Sequence, residues 1–203
     1  MHKLNGKTVQ SAAPPAGRPK RYVDPVRAQW RRDLQAARDA LIDRPQREAR
    51  LLARVEQWLA GVEVERLGFF WPTRAEPDLA ALVGRWLHGR PSRRASLPVI
   101  EGELLSFAPW SPGAKLVRGP FDVQVPDTAE RIEPQLLLIP CVGIDLLRYR
   151  LGYGGGYYDR TLAVLSPRPI TAGVGFDCAR IDTIDPKPHD LRLDVAMTES
   201  FAW

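Results

Sequence analysis

From Asp24 onward, apolar positions recur at helical spacing. In "DPVRAQWRRDLQAARDAL" Trp30, Leu34, Ala37 and Leu41 share one face, and Arg27, Arg31 and Arg38 follow a different stripe. Asp24 can cap this helix, and Pro25 suits its first position. The apolar face is the expected core side, and the arginine stripe by itself reads as a solvated face. "PQREARLLARVEQWLAG" predicts a second helix ended by Gly61. "EPDLAALVGRWLHG" predicts a third, opening at Glu76 and Pro77 and stopping at Gly89. "VERLGFFWP", "SLPVI" and "LLSFAPW" read as strands, and "SPGAKLVRGPF" as a loop. "PQLLLIPCVG" is an apolar run of buried-strand length. A glycine-rich stretch leads into "YYDRTLAVL", where Tyr158, Leu162 and Leu165 sit at helical spacing, and "PITAGVGF" and "LDVAMT" predict the last strands. Strands alternating with helices predict a single α/β domain over residues 24–203, with no internal repeat.

Composition changes this picture little. The chain has 203 residues, 44% hydrophobic and 26% charged, as one globular domain would. No apolar run approaches the ~20 residues of a membrane span, so no membrane association is expected. The formal net charge is +5, but Lys3, Lys7, Arg18, Lys20 and Arg21 lie in an acid-free segment and account for all of it. The remainder carries as many acidic as basic residues, which argues against a nucleic-acid-binding face. Residues 1–23 are expected to be a disordered basic extension. They lack the apolar core of a secretory signal, and Pro14, Pro15 and Pro19 would break an amphipathic transit helix. A cytoplasmic location is expected. Cys141 and Cys178 form no CxxC pair and read as buried thiols.

The candidate chemistry is concentrated in "RLGYGGGYYDR", residues 150–160. Glycines just before a helix N-terminus let the backbone close on a ligand where unpaired N–H groups and the helix dipole favour an anion. The stretch lacks the Lys-Ser/Thr of a P-loop, and Tyr157 stands where the third glycine of GxGxxG belongs. A structural turn therefore remains the alternative to a phosphate cradle. Asp159 reads either as a first-turn acid or as a ligand for a Mg²⁺ shared with bound phosphates.

The whole segment "LLLIPCVGIDLLRYRLGYGGGYYDRTL" closely resembles the signature of the 5-formyltetrahydrofolate cyclo-ligase family, also called methenyltetrahydrofolate synthetase. "WPTRAEPDL", "LPVI", "SPGAKL" and "KPHDLRLDVAMTES" are similar to further family elements in the same order. The resemblance implies a three-layer α/β/α sandwich similar to ribose-5-phosphate isomerase and CoA-transferase domains. It implies ATP- and Mg²⁺-dependent conversion of 5-formyltetrahydrofolate to 5,10-methenyltetrahydrofolate, with ADP and phosphate released. On this resemblance Arg27, Arg31, Arg150, Gly152, Tyr153, Gly154, Gly155, Gly156, Tyr157 and Tyr158 hold ATP. Asp159 and Asp190 bind Mg²⁺, Trp71 and Glu76 contact folate, and Glu76, Arg150 and Tyr157 act in catalysis. Arg27 stands where the family carries a lysine, and Gly155 where many members do. The competing readings are a nucleotide-binding relative with lost or altered folate activity, and a nucleic-acid module built on the basic tail. The expected partners are folate and ATP, with no nucleic acid, and the expected state is a monomer. Because no core packing is touched, Asp159→Asn is expected to leave ligand-free stability within about 1 kcal/mol.

The segment before Asp24 has no apolar periodicity. Deleting residues 1–22 is therefore expected to change turnover by less than about tenfold, or ~1.4 kcal/mol of barrier. Steady-state rates of the shortened chain check this, and a larger loss would move the domain boundary.

Overall fold

The protein is described by a computed structural model covering residues 24–203, so the expected extension 1–23 lies outside the described residues. Helix α1 spans Pro25–Asp39, with the Asp24 side chain accepting from the N–H groups of Val26 and Arg27. Helix α2 spans Arg44–Ala60 and buries Leu51, Val55 and Leu59, one stripe at spacings of four. Strand β1 (Arg66–Gly68) is followed by helix α3 (Ala80–His88), then by strands β2 (Arg94–Glu101) and β3 (Leu104–Trp110). Strands β4 (Leu116–Arg118) and β5 (Gln124–Pro126) form a small hairpin. Next come β6 (Leu136–Pro140), β7 (Gly143–Asp145) and β8 (Arg150–Leu151). Helix α4 (Tyr157–Val164) and strands β9 (Ile170–Val174), β10 (Arg180–Ile181) and β11 (Val195–Met197) complete the chain.

Six strands form one sheet in the order β11-β9-β6-β1-β2-β3. All neighbours pair in parallel except β2 and β3. Strand β6 shows how the layers arise. Leu136 and Leu138 face a core shared with Leu51, Val55 and Leu59 of α2 and Leu82, Val83 and Trp86 of α3. Leu137 and Ile139 alternate to the other face and pack with Leu162 of α4. Both faces are covered, which explains the uninterrupted apolar run. The result is the expected α/β/α arrangement.

The chain leaves β1 in one direction, through β2 to β3, and later fills the other side from β6 through β9 to β11. The order therefore reverses between β1 and β6. In open α/β sheets the carboxyl ends of strands at such a reversal splay apart and leave a crevice. Here Phe70 and Trp71, just past β1, and Pro140, ending β6, line a cleft of about 450 Å³.

Several expectations need correction. The inward face of α1 is not purely apolar: Arg27 and Arg38 are its buried residues, beside half-buried Trp30 and a half-buried Leu34 that lies against Gly143, while Ala37 is exposed. The third helix begins at Ala80, not at Glu76. Arg74 and Ala75 adopt positive φ angles of 47° and 57°, and this turn sends Glu76 inward before the helix can start. The segment read as a loop contributes β4. A second sheet of β10, β7 and β8 is too short to have left a periodic pattern. Among the described residues, no helix is long and apolar enough to cross a membrane.

Leu138 is fully buried, whereas Leu146 is 57% exposed. Leu138→Ala should cost about 2–5 kcal/mol, and Leu146→Ala less than about 0.5 kcal/mol. Urea unfolding of the two variants measures the difference, and equal midpoints would contradict the assigned core.

Candidate active site

The loop after β1, the glycine loop, the segment after β10 and helices α1 and α4 all border the cleft. The glycine loop leaves β8 and enters α4. Gly154 and Gly156 hold φ angles of +95° and +67°, which side chains with a Cβ rarely adopt. A Cβ at Gly156 would also come within 2.8 Å of Arg160 Nη1. Arg160 braces the loop from outside by donating to the carbonyls of Gly155 and Glu103, both at 2.9 Å. The first N–H groups of α4 thus sit beside bare backbone at the positive end of a helix dipole.

Helix α1 supplies cations from above. Arg31 Nε donates to the carbonyl of Gly152 at 2.7 Å, and its guanidinium lies against Gly154. No carboxylate pairs with it among the described residues. Burial and the charge of Arg27 lower its proton affinity. Arg27 is differently placed, because its Nη2 lies 2.5 Å from Asp190 Oδ2 and its Nη1 3.2 Å from Oδ1. Its Nε and Nη2 also donate to the carbonyls of Ile184 and Asp185. Burial disfavours the Asp190 carboxylate, but the Arg27 hydrogen bond, the Lys187 N–H and the charge of Arg27 together outweigh it and hold the pKa below the usual range.

Arg150 and Asp159 form a second buried pair across the glycine loop. Arg150 Nη2 is 3.1 Å from Asp159 Oδ2, and the two side chains are 5% and 15% exposed. The Leu191 N–H adds a bond of 3.2 Å to Asp159 Oδ1, and the Arg150 guanidinium stacks over Tyr158 at 5.4 Å. The two acids expected to bind metal are therefore each paired with an arginine expected to bind phosphate. Among the described residues, no three His, Cys, Asp or Glu side chains come together as a metal-holding group. Such a donor set suits a hard cation carried mainly by phosphate oxygens and water, completed by one or two carboxylates. It does not suit a permanently resident ion.

The other end of the cleft holds Trp71 and Glu76. Glu76 is 5% exposed. Its Oε2 accepts from the Thr73 N–H at 2.9 Å and the Thr73 hydroxyl at 3.1 Å, and its Oε1 from the Tyr153 hydroxyl at 2.6 Å. Burial raises its pKa, against those hydrogen bonds and the charge of Arg38. Trp71 is half-buried, with its ring 6.4 Å from that of Trp110. Tyr157 lines the cleft between Phe121 and Arg160, whose groups lie 6.2 Å and 5.0 Å from its ring.

All the residues singled out in the sequence line this one cleft. Tyr153, grouped there with the phosphate loop, turns its hydroxyl toward Glu76 instead. Sequence reasoning missed Arg38, Thr73 and Phe121. The i, i+4, i+11 stripe of Arg27, Arg31 and Arg38 could have signalled the first. Nothing in the sequence marked the others.

The expectation that Asp159→Asn leaves stability within about 1 kcal/mol needs revision, because the substitution would remove the counter-charge of the buried Arg150 guanidinium. The ligand-free protein should lose clearly more than about 1 kcal/mol, toward the ~3 kcal/mol of a broken buried pair. Urea unfolding tests this, and an unchanged midpoint would show that Arg150 finds another acceptor.

The sequence profile of the 5-formyltetrahydrofolate cyclo-ligase family matches residues 23–199. The 5-formyltetrahydrofolate cyclo-ligase of Mycolicibacterium smegmatis is 29% identical, over 70% of this chain and 78% of that protein. The enzyme of the same name from Escherichia coli is 30% identical, over 56% and 68% respectively. The solved structure of Aquifex aeolicus 5,10-methenyltetrahydrofolate synthetase superposes with a TM-score of 0.73. At 24% identity it covers 87% of this chain and 91% of its own, and it shares the fold. A profile that runs from the start of α1 to beyond β11 spans every element bordering the cleft, and the chain belongs to the 5-formyltetrahydrofolate cyclo-ligase family.

Proposed function

We propose that this cyclo-ligase uses ATP with Mg²⁺ to convert 5-formyltetrahydrofolate to 5,10-methenyltetrahydrofolate, releasing ADP and phosphate. An ATP-dependent reaction accompanies the family. The observation that carries the phosphate side is Arg31, a half-buried cation without a carboxylate partner, fixed by the Gly152 carbonyl over left-handed glycines. A phosphate fits there because the backbone N–H groups of a helix N-terminus and an uncompensated guanidinium both seek an anion.

The chemistry accounts for the division of the cleft. A formamide oxygen is a poor leaving group, and transfer of the γ-phosphoryl to it makes it a good one. The neighbouring folate nitrogen then attacks the formyl carbon and phosphate departs. In this reading Arg31 and the glycine loop align the phosphates, and Arg27 and Arg150 are held beside them by Asp190 and Asp159. Those carboxylates would hold Mg²⁺, which supplies neutralisation of phosphate charge. Trp71 and Glu76 orient the folate ring, and alignment of the two substrates lowers the barrier.

Methenyl-folate absorbance should appear from 5-formyltetrahydrofolate only when ATP and Mg²⁺ are both present. Arg31→Met should raise the KM for ATP about tenfold or more and lower the melting temperature only slightly, since one hydrogen bond to a carbonyl is lost and no ion pair is broken. ATP binding without turnover at any enzyme concentration would favour a nucleotide-binding relative. An unchanged KM for ATP in Arg31→Met would remove Arg31 from the phosphate site.

A further inference from the structure

We propose that Arg38 is a positioning residue of the folate end of the cleft, acting through the Tyr153 hydroxyl to hold the Glu76 carboxylate. This inference rests on the cyclo-ligase reading and assigns a role to a residue outside the phosphate site. Arg38 is 4% exposed, and among the described residues no carboxylate lies within ion-pair distance. Its Nη2 donates to the Tyr153 hydroxyl at 2.7 Å, its Nη1 lies 3.5 Å from the Cys141 carbonyl, and its Nε has no partner among the described residues. A buried guanidinium with so few acceptors is costly to fold, and the neighbouring groups must compensate it.

The compensation runs through one phenol. Tyrosine has a single hydroxyl proton, and it goes to Glu76 Oε1 at 2.6 Å. The oxygen left behind accepts from Arg38, so the chain has a fixed direction from cation to hydroxyl to anion. Hydrogen bonds in such a chain polarise one another, and the low local dielectric strengthens the attraction of the end charges. The arrangement is an ion pair with a tyrosine where water would otherwise stand. Meanwhile Thr73 fixes Oε2 with two bonds, so both carboxylate oxygens are oriented.

Other groups face Glu76, and none can replace Arg38. Arg44 of α2 donates to the backbone carbonyls of Ala75 and Glu76, at 2.7 Å and 3.1 Å. Burial pushes the Cys141 thiol up to about 12 and the Tyr158 phenol higher still, so both are neutral near pH 7. The neighbouring Arg74 stacks on the Tyr153 ring at 4.9 Å and is exposed. Arg38 is the cation whose charge bears on the carboxylate. An ionised Glu76 can accept from the adjacent N–H groups on the pyrimidine edge of a reduced folate. A protonated one presents a hydrogen to those donors and loses them.

The test compares wild type, Arg38→Met and Tyr153→Phe. Initial rates are measured against 5-formyltetrahydrofolate and against MgATP across the neutral pH range. Calorimetric titration with 5-formyltetrahydrofolate alone and melting curves accompany them. Both variants should raise the KM and Kd for 5-formyltetrahydrofolate about tenfold or more, with the KM for ATP within about twofold of wild type. In Arg38→Met the acid-side fall in kcat/KM for folate should move to higher pH, because losing the cation raises the proton affinity of Glu76. If Arg38→Met fails to fold, Tyr153→Phe, which keeps the ring and its stacking, decides alone. A rise in the KM for ATP instead of folate, equal rises in both, or unchanged kinetics would overturn the inference while wild-type turnover leaves the cyclo-ligase reading standing. A wild type that binds 5-formyltetrahydrofolate, weakened by both variants, but does not turn it over would support the inference and overturn the reaction.

Discussion

The fold turns on a charged helix face facing inward. Helix α1 aims Arg27, Arg31 and Arg38 at the rest of the domain, and each must be compensated for the chain to fold. Asp190 and the carbonyls of Ile184 and Asp185 compensate Arg27, the carbonyl of Gly152 meets Arg31, and the Tyr153 hydroxyl meets Arg38. Those partners come from the segment after β10 and from the glycine loop. The arginines therefore tie the helix that opens the described chain to segments more than a hundred residues later. The same bonds that hold the fold together place the Arg27 and Arg31 guanidinium groups at the cleft.

The sheet makes room for that charge. Because strand order reverses between β1 and β6, the connections after those strands diverge and leave a crevice at their carboxyl ends. Residues just past β1 form one wall, with Trp71 and Glu76. The chain from β8 into α4 forms the other, with the glycine loop. Tyr153 spans between them, its ring in the loop and its hydroxyl on Glu76. One residue thereby couples the placement of the proposed phosphate end to that of the proposed folate end.

Two buried arginine–aspartate pairs, Arg27–Asp190 and Arg150–Asp159, border the phosphate side. Both partners of each pair have chemistry suited to MgATP, the guanidinium for phosphate oxygen and the carboxylate for the cation. Pairing them with each other keeps the ligand-free cleft close to neutral and avoids isolated buried ions. Arg31, by contrast, meets a carbonyl dipole and, among the described residues, no carboxylate.

Much of this was legible in the chain. The apolar run of β6, the helical stripe of α2 and the capping of α1 follow from local periodicity and side-chain chemistry. They need no knowledge of distant partners. The glycine-helix junction marked the site, because few other functions call for so much bare backbone before a helix N-terminus. The inward face of α1 was not legible, since an arginine stripe looks the same in sequence whether water or a distant aspartate receives it. The start of α3 was misjudged because the left-handed turn at Arg74 and Ala75 lies within a sequence that also suits a helix start. Strand order, the crevice it opens, and the bonding of Tyr153 to Arg38 and Glu76 were decided only by tertiary structure. They depend on pairings between segments far apart in the chain, and local sequence carries no record of which partner a buried charge will meet.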